Sequence, residues 1–67
     1  MKSIYVHDKR FNDTVYLIPV DNIAGVTERT LSNGSKDTTL HLKISINGEK
    51  TITVQETLFD IGNFARN

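Results

Sequence analysis

Cysteine is absent from the 67-residue chain, so no disulfide framework can stabilise it. With only two histidines and no thiols, a structural zinc site cannot take that role either. Tryptophan is also missing, and proline occurs once. No charge of one sign dominates, because 8 Lys and Arg balance 8 Asp and Glu. Such a surface has no long-range field to gather polyanions, which argues against a dedicated nucleic-acid binder. Long hydrophobic runs are lacking as well. The longest, Val15-Tyr16-Leu17-Ile18-Pro19-Val20, is far short of the ~20 residues that cross a bilayer, so no membrane association is expected. Met1 to Asp8 carries one basic residue but no apolar stretch of signal-peptide length and no small-residue cleavage site. Together with the missing cysteines, this predicts an intracellular, cytoplasmic protein.

What is present fits one small domain over residues 1–67. A chain of this size buries only about 60% of the surface its unfolded form exposes. Its own core therefore supplies little stability, and oligomerisation is the remaining common way to bury more.

The apolar pattern is that of strands. Ser3-Ile4-Tyr5-Val6-His7 and Thr14-Val15-Tyr16-Leu17-Ile18 both alternate apolar residues with polar or aromatic ones. The segment between them, Asp8 to Asp13, has an even number of residues. Antiparallel pairing then sets Val6 opposite Val15 and Ile4 opposite Leu17 on one face, and Tyr5 opposite Tyr16 on the other. Pro19 ends the second strand, and Asp21-Asn22 supplies turn-forming acceptors. A third strand is expected over Ile23 to Leu31, with Gly25 marking a bulge. Ser32-Asn33-Gly34-Ser35-Lys36-Asp37 reads as an exposed, mobile loop. Leu40, Leu42 and Ile44 alternate with Thr39, His41, Lys43 and Ser45, the pattern of a half-buried strand. Ile52 and Val54 continue it beyond a turn. A three-residue loop, Ile46-Asn47-Gly48 with Gly48 left-handed, sets Leu42 against Ile52 and Leu40 against Val54; the two-residue Asn47-Gly48 turn mixes the faces. After Gln55-Glu56 the period changes. Leu58, Ile61 and Phe64 share one helical face, Thr57 is the candidate N-cap and Asp60 sits in the first turn. The fold class expected is α+β, mostly β: a twisted antiparallel sheet or partial barrel of about five strands, with one C-terminal helix docked on it.

A strand running into Pro19-Val20-Asp21-Asn22-Ile23, then Val26-Thr27-Glu28, an apolar strand, a glycine turn, and Val54-Gln55-Glu56-Thr57 entering a helix resembles the small flagellar proteins of the FlbD type. The resemblance covers about two thirds of the chain. The same order of elements is similar to DNA-binding response-regulator modules of the LytTR kind. The Ser32 to Asp37 loop and the first hairpin depart from the flagellar pattern, and the resemblance implies no catalytic residues. The compact size is also typical of phage-encoded accessory proteins.

Catalytic and metal chemistry find no footing. His7 and His41 have no carboxylate or second histidine at ligand spacing in the sequence and read as solvent-facing strand residues. Asp8, Asp13 and Asp21 fall where a carboxylate hydrogen-bonds its own turn. No Gly-x-Ser-x-Gly elbow is present, and Asn33-Gly34-Ser35-Lys36 lacks phosphate-loop spacing. No enzyme activity and no cofactor or metal are expected. Two groups remain. Tyr5, Tyr16 and Ile18 share the face away from the expected core and form either a second small core under a curved sheet or a partner or self-association surface. Lys9-Arg10-Phe11 places two cations beside an aromatic, the minimal chemistry for gripping a phosphate and stacking a base. The expectation is therefore a small, non-catalytic, self-associating binding or adaptor protein. The alternative is a nucleotide or nucleic-acid binding module that uses the Lys9-Arg10-Phe11 tip.

Overall fold

The protein is described by a computed structural model covering residues 2–66. Among these residues five strands and one α-helix form: β1 (Ser3–His7), β2 (Val15–Pro19), β3 (Ile23–Thr30), β4 (Lys36–Ile46), β5 (Glu49–Val54) and α1 (Leu58–Arg66). A single 3-10 turn, Val20–Asn22, joins β2 to β3. The strands form two antiparallel sheets, β1-β2 and β3-β4-β5, rather than one sheet. Where β1 runs out, Asp8 bridges to Val54, Lys9 N–H donates to the Thr53 carbonyl and Gln55 N–H to the His7 carbonyl. These bonds fasten the end of β1 to β5 without closing a barrel.

Strand alternation sends Ile4 and Val6, Ile18, Leu40 and Leu42, and Ile52 and Val54 into one shared core, which Ile61 of α1 completes. Burying such aliphatic side chains contributes ~1.5–3 kcal/mol each, and the core holds few of them. The helix is started as the sequence predicts. Asp60 N–H donates to Thr57 Oγ1 at 3.1 Å, and Thr57 N–H donates to Asp60 Oδ2 at 3.3 Å, a reciprocal cap that satisfies two of the unpaired donors at the helix start. Of the expected apolar stripe only Ile61 is fully buried; Leu58 and Phe64 stay about two-fifths exposed, at 41% and 43%.

Four expectations are corrected. The first hairpin is shifted by one residue: Ile4 pairs with Ile18, Tyr5 with Leu17, Val6 with Tyr16 and His7 with Val15. The cause is Asp8, whose N–H donates to the Thr14 carbonyl at 3.0 Å. That contact extends the ladder by one pair and leaves Lys9 to Asp13 as the loop. A one-residue slip exchanges the faces of β2, so Ile18 turns inward and Val15 and Leu17 turn outward. In the β4–β5 hairpin, Ile46 pairs with Glu49, so Asn47 and Gly48 make a two-residue turn. Both have positive φ, 53° and 80°, as a type I′ turn requires. The irregularity lies inside the strand, where Leu42 to Ser45 on β4 oppose Lys50 alone on β5. Leu40 consequently faces Ile52, and Thr38 faces Val54, with the inward faces still matched.

The third correction follows from that bulge. Ile44 is 73% exposed instead of buried, and its backbone N–H and C=O bond the Asn22 side-chain amide at 2.8 and 3.0 Å. One asparagine thus does locally what a neighbouring strand would do. Last, Lys36 and Asp37 belong to β4, paired with Thr30 and Arg29. This leaves a tight turn, where Asn33 Oδ1 accepts from the Ser35 N–H and hydroxyl and Gly34 takes a φ of 88°. The bulge expected at Gly25 is present, as a register shift between Ile23 and Gly25.

Candidate functional site: the outer face and free edge of the first hairpin

The inner side of the β1–β2 hairpin is organised by Asp8, which is completely buried. Its Oδ1 accepts the N–H groups of Arg10 at 2.7 Å and Phe11 at 3.2 Å, and its Oδ2 accepts the Tyr16 hydroxyl at 3.2 Å. Its backbone carbonyl accepts from Gln55 Nε2 at 2.9 Å. Burial alone would push this carboxyl's pKa up. The two backbone N–H bonds, the Tyr16 hydroxyl and the Arg10 charge outweigh that and hold it below the usual value. Tyr16 shifts the other way, raised by its burial and by donating to the Asp8 carboxylate. With three of its roughly four acceptor sites taken by the fold and the whole group buried, this carboxylate is a structural anchor.

His7 acquires a carboxylate partner that its sequence neighbourhood does not contain. Its Nδ1 lies 2.7 Å from Glu56 Oε2 and its N–H donates to Glu56 Oε1 at 2.9 Å. Burial raises the Glu56 pKa, but the bonds from the His7 ring and backbone more than offset this and lower it. His41 instead meets the Thr27 hydroxyl at 3.0 Å. Among the described residues no three His, Asp or Glu side chains are grouped to hold a metal.

Lys9, Arg10 and Phe11 remain at the hairpin tip, but the two cations diverge. Lys9 Nζ pairs with the Asp37 carboxylate and donates to the Lys36 carbonyl at 3.0 Å. Arg10 bonds Glu49 Oε1 at 3.2 Å and lies over the Phe11 ring, 5.3 Å from its centroid. A phosphate would have to displace a carboxylate at each cation.

Tyr5, Tyr16 and Ile18, expected on one outer face, are separated by the slipped register. Ile18 is wholly buried and Tyr16 half-buried over Asp8, while Tyr5 alone is exposed, at 66%. Its cross-strand neighbour is Leu17, 56% exposed, and Val15 on the same face is 50% exposed. At the far end of β1 a shallow hollow of about 300 Å³ is lined by Ser3, Ile4, Tyr5 and Phe64. The outer face is therefore Tyr5, Val15 and Leu17, with His7 and its Glu56 partner opposite Val15 and Phe64 beside Tyr5. The signal that could have placed Val15 and Leu17 there was the tertiary role of Asp8, which decides the register and is not written in strand periodicity.

The backbone of β2 has one free side. Val20 N–H donates to the Lys2 carbonyl and Asp8 N–H to the Thr14 carbonyl, both in the register of the hairpin. The alternation of an antiparallel ladder then assigns the even-numbered residues of β2 to β1. The N–H and C=O groups of Val15 and Leu17 point away from β1, and among the described residues β2 has no second neighbour in its sheet.

Comparison with protein families, with curated proteins and with solved structures finds no match for the chain, so its function has to be argued from this geometry.

Proposed function

We propose that the chain is a non-catalytic interaction module that self-associates or binds a protein partner through the outer face of the β1–β2 hairpin. The observation that carries this is the adjoining exposure of Tyr5, Val15 and Leu17. These are large apolar side chains on one sheet face with no charged residue on β2, in a chain too small to gain much from its own core. Tyrosine suits a contact surface because its ring supplies apolar area while its hydroxyl can find a polar partner at the rim. The ionisable groups nearest this face, Asp8, Tyr16, His7 and Glu56, are engaged with one another and with backbone, which fits scaffolding better than turnover.

The test uses the full chain as bait in lysate of the cells that make it, with captured protein, including further copies of the chain, quantified by mass spectrometry. Tyr5→Ser should reduce capture about tenfold or more, the loss of roughly 1.4 kcal/mol or more of contact energy. Because Tyr5 is exposed, thermal melting should barely move. Capture indifferent to Tyr5→Ser would refute the reading.

A further inference from the structure

We infer that the free edge of β2 binds a second copy of this chain by antiparallel strand addition, with Val15 opposite the partner's Leu17 and Tyr16 on the two-fold axis. The inference rests on the proposed role of the outer face and specifies its occupant. Among the described residues, Val15 and Leu17 each leave one N–H and one C=O without a strand partner. In an antiparallel ladder two residues facing each other as a hydrogen-bonded pair exchange both of their bonds. Setting Val15 against the partner's Leu17, and Leu17 against the partner's Val15, therefore satisfies every one of these groups in both copies. Moving the register to place Leu17 against the partner's Leu17 brings Val15 opposite Pro19, which has no N–H, and strands the Val15 carbonyl. The proline thus disfavours that register as well as ending the strand.

The side chains agree with this arrangement. Val15 and Leu17 lie on the outer face, so strand addition extends it into a row running from Tyr5 through Leu17 to the partner's Val15. No charged residue occurs in Val15–Pro19, so two copies meet without like-charge repulsion. The edge of β3 is different. Leu31 N–H donates to the Ser35 carbonyl, so alternation turns Val26, Glu28 and Thr30 outward, and centred self-pairing would oppose two copies of Glu28. α1 also packs against β3. Charge and cover are the usual protections of an exposed edge; β3 has both, whereas β2 carries no charge and, among the described residues, has no strand paired to its outer edge.

Sedimentation velocity from about 10 μM to about 1 mM tests the pairing, with far-UV circular dichroism melting to show that each variant is folded. Wild type should pass from monomer to dimer across this range. Leu17→Glu and Val15→Lys should each weaken the dimer at least tenfold, since each puts a charge opposite an apolar residue. Their equimolar mixture should recover it, because Lys at 15 then faces Glu at 17 across the axis. A wild type that stays monomeric overturns the inference, as does a dimer unaffected by Leu17→Glu or a mixture no tighter than either variant alone. If the wild type is monomeric yet Tyr5→Ser abolishes capture of another protein, the edge pairing falls while the proposed function stands.

Discussion

The two hairpins of this small protein are closed by opposite means. In β4–β5 the turn is local: Asn47 and Gly48 take positive φ values that these two residue types tolerate, and the strands follow. In β1–β2 a side chain holds it, through the N–H groups two and three residues on and through Tyr16. Asp8 is fully buried, and it holds the loop from Lys9 to Asp13 by accepting the Arg10 and Phe11 N–H groups while anchoring Tyr16. A turn set by backbone preference loses a fixed, modest amount when it is altered. A turn set by one buried carboxylate loses several bonds at once, and with them the register that decides which face of β2 meets the solvent.

The largest effect should therefore come from Asp8→Ala. That substitution takes the acceptor from the part-buried N–H groups of Arg10 and Phe11 and from the Tyr16 hydroxyl at once, and each donor left without a partner away from water is destabilising. The expected outcome is loss of the cooperative thermal transition at room temperature, read by circular dichroism; an unchanged melt would show that the carboxylate does not hold the hairpin. Acid should do the same more gradually. Asp8 and Glu56 both have lowered pKa values, so as pH falls the unfolded chain takes up their protons first. Their contribution is complete above the ordinary carboxylate range, about pH 4, and is lost below it as the folded carboxylates protonate. The raised value of Tyr16 works in the opposite sense, with stability falling as pH rises past the ordinary tyrosine value of about 10. Urea midpoints measured across pH should show both declines.

The same contrast explains how much the sequence reveals. Periodicity locates all five strands, the helix start at Thr57 and the bulge at Gly25, because each depends on neighbours within a few residues. Inward placement of Leu40, Leu42, Ile52 and Val54 is read correctly too, although the turn joining their strands is assigned one residue too long, since the irregularity sits in the strand opposite Lys50. Parity was preserved there and lost in the first hairpin. Nothing near Asp8 announces that it will be buried by Gln55 and Tyr16, and an even-length loop is a sound inference only when no side chain enters the ladder. The candidate surface moved with that single slip, from Tyr5, Tyr16 and Ile18 to Tyr5, Val15 and Leu17.

A smaller effect should follow from Gly48→Ala. Gly48 has a φ of 80°, and an added Cβ would meet nothing within 4 Å, so the whole cost is left-handed backbone strain. That is about 1 kcal/mol, visible as a lowered denaturation midpoint with an unchanged slope. Loss of folding on the scale expected for Asp8→Ala would mean that this hairpin, too, depends on more than its local turn.

The smallest effect should come from the charges that tie the first hairpin to the rest of the molecule, Lys9 to Asp37 and Arg10 to Glu49. Both pairs lie at the surface, with Arg10 more than half exposed, where such pairs contribute roughly 0.2–1 kcal/mol and weaken with salt. Lys9→Gln and Arg10→Gln should each lower stability within that range, and less so at high salt. The same ion pairs bear on the phosphate-binding alternative. If Lys9 and Arg10 served to grip phosphates, the carboxylates opposite them would compete with the ligand, so Asp37→Asn and Glu49→Gln should strengthen binding of a single-stranded oligonucleotide at low salt. Fluorescence anisotropy should instead find wild type and both carboxylate variants equally inert, because cations held by their own carboxylates within a neutral chain have little field to offer a polyanion. Salt-sensitive oligonucleotide binding by the wild type, abolished when both cations are reversed, would return the function of this hairpin from its uncharged edge to its charged tip.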